Sequence, residues 1–413
     1  VSDARHTHDH ALSVTLSHNP ADLHALKAEW EALQSNSANR CLYNSWEWAN
    51  LVWKHLCKGD QLWLLTGRDG SGALVGVTAL LWHTYAPIRG TQWRQLSFLA
   101  AQVECDHLDF VCAHGYESAV AHAFAARLFA ERHHWDRLCL ASVPEGSPTL
   151  AAFQPYLDPQ QAQPTPEICP YISLPSDWET FLNTTLGQRK RKNYRHDQRR
   201  YAKTFGAEWS YRRVNSAAEL SVAFEELVRL HQAKWEALGE QGAFGTPQLR
   251  AFHRAVAERF LELGWLRLYR LIIKGETAAI DYGFAYQGRY YTFAGGWDAR
   301  FAEHSPGDML TGIIIQEAIA EGLREFDFHR GDQPYKYQWG AQNAQDYTLA
   351  CLVSRRARRE QQLVEAARRL WQGVKHILPE PTRRRLVRLI KRDLAAWLCL
   401  SLPTLSDLLM CLA

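Results

Sequence analysis

The chain has 413 residues, 46% of them hydrophobic and 22% charged, which is an ordinary globular composition with room for more than one domain. Its net charge of +3 is too small to say anything about partners in bulk, so only local clusters of charge are informative. The 9 cysteines are odd in number and scattered, with no Cys-x-x-Cys pair, which argues for reduced thiols in a cytosolic setting and against a disulfide scaffold or a zinc cluster.

The N-terminus shows no basic-then-apolar leader pattern, and its His6, His8 and His10 read as a disordered end rather than a metal site. A first strand is expected over 12–16. A helix over 21–33 puts Leu23, Leu26, Trp30 and Leu33 on one face. Ser45 is the expected N-cap of a helix running to Leu56. Strands are expected over 61–66, 73–83 and 92–99, with turns at Asp69-Gly70 and at Pro87 and Gly90. An extended run over 108–112, a helix over 118–132 and a strand over 135–140 complete this half. The Pro- and Gln-rich stretch 158–166 sets a domain boundary near residue 160.

The second half repeats that order: a strand over 171–174, a helix over 178–204 and a strand over 207–214, then helices over 217–237 and 247–263. Three strands, 265–273, 277–285 and 289–295, turn at Gly275 and at Gln287-Gly288. A helix over 307–322 feeds a strand over 325–329, and a last strand covers 347–354. The shared order predicts an internal duplication of an α/β unit. Residues 355–413 differ: a basic helix over 355–375 precedes an amphipathic segment over 383–400, which can lie in a membrane interface or pack on protein. Pro403 and Asp407 argue against a spanning helix.

Three clusters carry chemistry. The strand Phe326-Asp327-Phe328-His329 ends in Arg330-Gly331-Asp332, with Tyr335 and Lys336 close behind, so a strand delivers several polar groups to one turn. Ser305-Pro306-Gly307-Asp308 reads either as a well-capped helix start, with Ser305 as cap, Pro306 at the first helical position and Asp308 completing a capping box, or as a phosphate cradle at a helix N-terminus. The run Gln188 to Lys203 holds eight Lys and Arg residues against one acid, Asp197. Its Lys192, Arg195, Arg199 and Lys203 share a helical face, a pattern that suits an anionic partner or a solvated surface.

These residues, together with Gly296-Trp297-Asp298, Trp339-Gly340, Ser45-Trp46-Glu47-Trp48 and the strand Asp136 to Leu140, give the chain a resemblance over about 10–355. It resembles the GNAT acyltransferase superfamily, and within it the cellulose-biosynthesis (CelD)-like branch related to the FemAB peptidyltransferases. The resemblance implies an α/β fold of two tandem GNAT-like units, each a mixed, largely antiparallel sheet flanked by helices. It implies a degenerate N-terminal unit over 1–160, a C-terminal acyltransferase unit over 161–354 and a basic helical tail over 355–413. Where most GNAT enzymes carry an Arg/Gln-x-x-Gly-x-Gly/Ala loop, the segment 302–308 has a single glycine.

The activity so implied is acyl transfer from acetyl-CoA or another acyl-CoA, without a metal, to the amine or hydroxyl of a small-molecule or saccharide acceptor such as a cell-envelope or exopolysaccharide precursor. Acyl transfer needs a base, a donor to polarise the thioester carbonyl and an acid for the thiolate. Asp332 is the candidate base, Tyr335 the acid and Lys336 the carbonyl or phosphate partner, with Asp298 a second base; the alternative is an Asp332–Lys336 or Asp332–Arg330 ion pair, and for Asp298 a turn cap. Ser305, Gly307, Asp308 and Met309 are the candidate donor contacts, and Arg195, Arg199 and Arg330 the acceptor contacts. Tyr282, Tyr290 and Tyr291 read as strand packing. Two alternatives stand beside this activity: a FemAB-like transferase using aminoacyl-tRNA, and a non-catalytic accessory protein of polysaccharide synthesis. The expected location is cytoplasmic, with peripheral membrane contact through the tail.

Overall fold

The computed structural model describes residues 12–86, 91–157 and 164–374. His6, His8 and His10, the turn at Pro87 and Gly90, most of the boundary stretch and the amphipathic segment 383–400 lie outside the described residues. The chain divides into two compact units, one formed by 1–53, 57–166 and 347–413, the other by 54–56 and 167–346.

The first unit opens with β1 (Ser13–Ser17), α1 (Pro20–Ala25), α2 (Lys27–Ser35) and α3 (Trp46–Leu56). The Ser45 hydroxyl accepts from Trp48 N as the sequence predicts, and Trp48 and Val52 are fully buried. Strands β2 (Gln61–Arg68), β3 (Leu74–Tyr85), β4 (Trp93–Phe98) and β5 (Val111–Cys112) follow, then α4 (Glu117–Ala130), β6 (Arg137–Pro144) and α5 (Pro148–Phe153). Strands β1 to β4 pair antiparallel in sequence order. After the α4 crossover, β6 pairs parallel with β4 for three residues, Gln95–Arg137 to Ser97–Cys139.

The second unit runs β7 (Thr165–Ser173), α6 (Trp178–Thr180), α7 (Gln188–Phe205), β8 (Trp209–Arg213), α8 (Ala217–Leu238), α9 (Pro247–Glu262), β9 (Leu266–Ile273), β10 (Glu276–Tyr286), β11 (Arg289–Trp297), α10 (Pro306–Ala320), β12 (Glu325–Asp327) and α11 (Pro334–Gln338). Strands β8 to β11 pair antiparallel in order, and β12 joins β11 in parallel after the α10 crossover, again for three residues. Strand β7 closes the far side of β12, antiparallel. The last elements are β13 (Gln342–Leu352) and α12 (Arg355–Val374); residues from 347 onward group with the first unit. Each unit is thus a mixed α/β layer of mostly antiparallel strands flanked by helices, and both use the same sequence of pairings. The described cysteines are buried.

In the second unit α7 and α10 cover one sheet face and α8 and α9 the other. Helix α10 is apolar almost all round because it is covered almost all round: Met309, Leu310, Ile313, Ile314, Ile315 and Ile319 are buried. Each large apolar side chain so buried contributes about 1.5–3 kcal/mol. Helix α7 is polar except for Tyr194, Tyr201 and Phe205, which anchor it. It lies close enough to α10 that a Cβ on Gly312 would overlap the rings of Tyr194 and Trp339.

Two expected elements are shorter in the structure. The helix predicted over 178–204 breaks at Leu186 and Gly187, both extended, after a π turn over Phe181–Thr185; the break turns Leu186 into the core. The strand predicted over 325–329 stops at Asp327, because the Asp327 carboxylate accepts from His329 N (2.8 Å) and His329 takes a left-handed φ of 64°.

Candidate functional site

The site is built where two parallel strands part. Strands β11 and β12 pair at Arg289–Glu325, Tyr290–Phe326 and Tyr291–Asp327 and no further. Past Asp327 the chain stays with β7, with Phe328 N donating to Pro170 O (3.0 Å) and Gly331 N to Ile168 O (2.8 Å). Strand β11 instead continues with β10 to Trp297. From Thr292 to Trp297, one edge of β11 therefore has no strand neighbour among the described residues. A 3-10 turn over Ala299–His304 joins the end of β11 to the N-terminus of α10, which comes back beside Trp297.

That N-terminus is not the capped one that the capping pattern predicts. Ser305 sits in the left-handed region (φ 52°, ψ 52°) and makes no side-chain cap. Asp308 does not reach back either: its carboxylate is held by Lys190 of α7, whose ammonium also lies 4.1 Å above the Trp339 ring. The backbone N–H groups of the first turn are left without a side-chain acceptor, and the helix dipole adds partial positive charge there. Gly307 lies in this turn, and a Cβ on it would sit 3.5 Å from the ring of Trp297, which is 47% exposed. Met309 is a correction: its N–H is used by Ser305 O (3.1 Å) and its side chain is in the core, so it offers nothing to a ligand.

The loop after β12 is held from within. Lys336 is buried, and its ammonium donates to the carbonyls of His329 (2.7 Å), Arg330 (2.8 Å) and Gly331 (2.9 Å). A side chain so committed fixes the loop; the role expected for it, on a substrate carbonyl or phosphate, has no free donor. Gly331, at φ 97°, supplies the tight turn. Arg330 pairs with Glu167 (3.2 Å). Neither ion pair weighed for Asp332 is formed: it is exposed and makes no hydrogen bond or ion pair among the described residues. Tyr335 is 47% exposed and stands edge-on to Phe328, yet the surrounding protein, and then the nearby Asp281 charge, push its phenol up to about 12.

Asp298 is the other correction. Both of its oxygens take hydrogen bonds from Arg300, Oδ1 also caps Arg300 N, and Arg229 lies 3.8 Å away. The Arg300 hydrogen bonds hold its carboxyl below the usual carboxylate range. It caps a turn and is a poor proton acceptor. Along α7, Lys192, Arg195, Arg199 and Lys203 are all exposed, with Arg195 in a loose surface pair with Glu179 (3.2 Å).

One carboxylate escaped the sequence reading. Asp281 lies mid-strand on β10, partly accessible, on the face covered by α10. The Tyr290 hydroxyl donates to its Oδ1 (3.1 Å), crossing Gly283, where a Cβ would lie 2.7 Å from that hydroxyl. Opposite Asp281 on β11 is Gly295, where a Cβ would lie 3.3 Å from Oδ2. Tyr290 is therefore more than strand packing, although its ring also stacks on Phe326 at 4.6 Å. The available signal was a single acid inside Ala278-Ala279-Ile280-Asp281-Tyr282-Gly283, a strand otherwise apolar or small.

Residues 188–337 match the model of the acetyltransferase (GNAT) domain. No curated protein matches the chain in sequence. Among solved structures the chain is similar to FemX, at 13% identity and a TM-score of 0.58, over 85% of this chain and 100% of that one. It is also similar to a conserved protein of unknown function from Bacteroides thetaiotaomicron VPI-5482, at 14% identity and a TM-score of 0.51, over 83% and 100%. A tandem GNAT protein from the clavulanic acid biosynthesis pathway aligns at 14% identity and a TM-score of 0.45, over 83% and 98%. For the first two, at 13% and 14% identity, the likeness is one of fold. Among the described residues no helix is long and apolar enough to cross a membrane.

Proposed function

We propose that the second unit is an acyl-CoA-dependent N- or O-acyltransferase. The observation that carries this is the parting of β11 from β12 together with the uncapped N-terminus of α10 beside the end of β11, inside the segment that matches the GNAT domain. A thioester donor fits such a place: its pantetheine arm can hydrogen-bond the unpartnered edge of β11, and its phosphates can take the N–H groups around Gly307. Ser305, Gly307 and the backbone of Asp308 are the donor contacts. An acceptor amine or hydroxyl attacks the thioester carbonyl directly, and the neutral Tyr335 phenol protonates the departing thiolate. Asp332, exposed on the same loop, offers a carboxylate to a cationic acceptor. The basic face of α7, with Arg195 and Arg199, suits an acceptor that carries phosphate, such as a nucleotide-sugar or polyprenyl phosphate of cell-envelope or exopolysaccharide synthesis. Arg330, whose charge is offset by Glu167, would meet an acceptor phosphate only by exchanging that partner.

That same basic face supports a second reading, in which the donor is an aminoacyl-tRNA, because an exposed stripe of one sign also suits a polyanion. Calorimetry with CoA separates the two: micromolar binding supports the first, and no binding alongside salt-sensitive tRNA binding supports the second. Turnover of acetyl-CoA with a panel of amino sugars then separates an enzyme from a protein that only binds ligand.

A further inference from the structure

We infer that Asp281 takes the proton from the acceptor amine or hydroxyl, with Tyr290 as the residue that positions its carboxylate. The inference rests on the acyltransferase reading and adds to it a catalytic group on β10.

Placement is the first argument. Asp281 pairs with Gly295, within the part of β11 that has lost its strand neighbour. Asp281 is one strand in from that free edge, and its Oδ2 lies over Gly295, 3.3 Å from where a Cβ would be, close enough for its charge to act on Tyr335 of the loop beyond β12. The second argument is how the carboxylate is held. Tyr290 occupies Oδ1, while Oδ2 has no hydrogen-bond partner among the described residues and lies over Gly295, where a Cβ would come within 3.3 Å of it. Two glycines on one face, 283 and 295, are what make this possible: one lets the phenol cross, the other keeps the second oxygen clear. A carboxylate with one oxygen fixed and one without a partner is suited to accept a proton in a defined direction.

The third argument is cost. A carboxylate held largely out of water without a cation costs stability even where it stays partly accessible, and structural acids in such places are normally paired. Among the described residues Asp281 has no ion pair. The titratable groups around it are phenols: Tyr290 on β11, Tyr269 directly across on β9 and Tyr335 on the loop after β12. The charges on α10 and β9 are spoken for, Asp308 by Lys190, Glu317 by Tyr211, and Glu321 by Arg213 and Arg267. Burial pushes the Asp281 carboxyl up to about 7, with the Tyr290 hydrogen bond opposing that rise. A base so tuned works best near neutral pH. Asp298 is locked by Arg300, and Asp332 is exposed to solvent.

In the step itself the acceptor lone pair attacks the thioester carbonyl carbon. The new C–N or C–O bond forms, the acceptor proton passes to Asp281 Oδ2, and the C–S bond breaks. The thiolate takes a proton from Tyr335. Asp281 returns its proton to water and Tyr335 regains one, so no further reactant is needed.

The test uses the full chain, CoA by calorimetry, and acetyl-CoA with glucosamine and with ethanolamine as acceptors. Asp281→Asn keeps the shape and one oxygen for Tyr290; it should bind CoA like wild type and lose kcat by about a hundredfold or more. Tyr290→Phe should move the midpoint of the kcat–pH profile upward, since the lost hydrogen bond favoured the charged form; a merely structural Tyr290 would lower Tm and leave the midpoint in place. Asp281→Asn with wild-type kcat, or Tyr290→Phe with an unmoved midpoint, overturns the inference alone. Wild type that fails to bind CoA, or binds it and acylates neither acceptor, overturns the acyltransferase reading and the inference with it.

Discussion

Lys190 of α7 holds the Asp308 carboxylate at the first turn of α10, and so the acid that could have capped this helix does not. The consequence is a helix N-terminus with its N–H groups and dipole available to an anion. Replacing Lys190 by Met frees Asp308 to swing over its own helix end, where its charge competes with a phosphate. CoA affinity should then fall by about three- to tenfold, the scale of a charge at a helix terminus. Lys190→Met/Asp308→Ala should recover part of the loss, and calorimetry on the pair decides it; a single variant with unchanged affinity shows that the anion binds elsewhere.

Gly307→Val tests the same site from the ligand side. The added branches enter the space beside Trp297 at the helix mouth. CoA binding should weaken by about tenfold or more while the far-UV spectrum and Tm stay close to wild type, since only about 1 kcal/mol of helix propensity is at stake.

Lys336→Met removes a buried cation from three carbonyls at once. Hydrogen bonds to a charged group contribute about 1.5–3 kcal/mol each, and the carbonyls left behind are partly enclosed, so a loss of about 3 kcal/mol or more is expected. Chemical denaturation measures it. A change below about 1 kcal/mol would mean that the loop is held by other contacts.

Asp281 also predicts how stability depends on pH. Its folded carboxyl titrates near 7, above the ordinary value of 3.8. Its contribution is therefore fully present below pH 3.8 and is lost as pH rises through 7. His231 and His253, pushed by burial to about 4 and about 3, act in the opposite sense: their contribution is present above pH 6.5 and lost as pH falls. Asp281→Asn should raise Tm at pH 8 and leave it nearly unchanged at pH 3.5, where the wild-type group is already neutral. An equal shift at both pH values would assign the effect to packing.

The exposed face of α7 gives a test in salt. Arg195→Glu/Arg199→Glu should weaken binding of a phosphate-bearing acceptor analogue such as a nucleotide-sugar, and flatten the salt dependence of what remains. Equal binding by both proteins at every salt concentration would mark the stripe as a solvated surface. On the rim, Asp332→Asn should raise KM for an amino-sugar acceptor with little change in kcat, the reverse of the split expected for Asp281→Asn.

The sequence by itself determined the elements and their order. Hydrophobic period, Gly turns and caps such as Ser45 are local signals, and the strands over 61–68, 266–273 and 289–297 and the helices over 46–56, 217–238 and 247–262 sit within a few residues of where those signals place them. It also determined the exposed face of α7, because one helical turn suffices to separate Arg195 and Arg199 from Tyr194 and Tyr201. Tertiary structure decided the chemistry of each polar group. Ser305 and Asp308 spell a capping pattern, but whether it forms depends on Lys190, more than a hundred residues away. Lys336 and Asp332 are close in sequence, yet the ammonium finds three carbonyls because the loop folds around it. Asp281 becomes notable only when β11 lays Tyr290 and Gly295 against it, and when β12 leaves β11 after three residues. Side-chain alternation along one strand is written locally; what stands across from a side chain is set by strand pairing, and that is a property of the whole sheet.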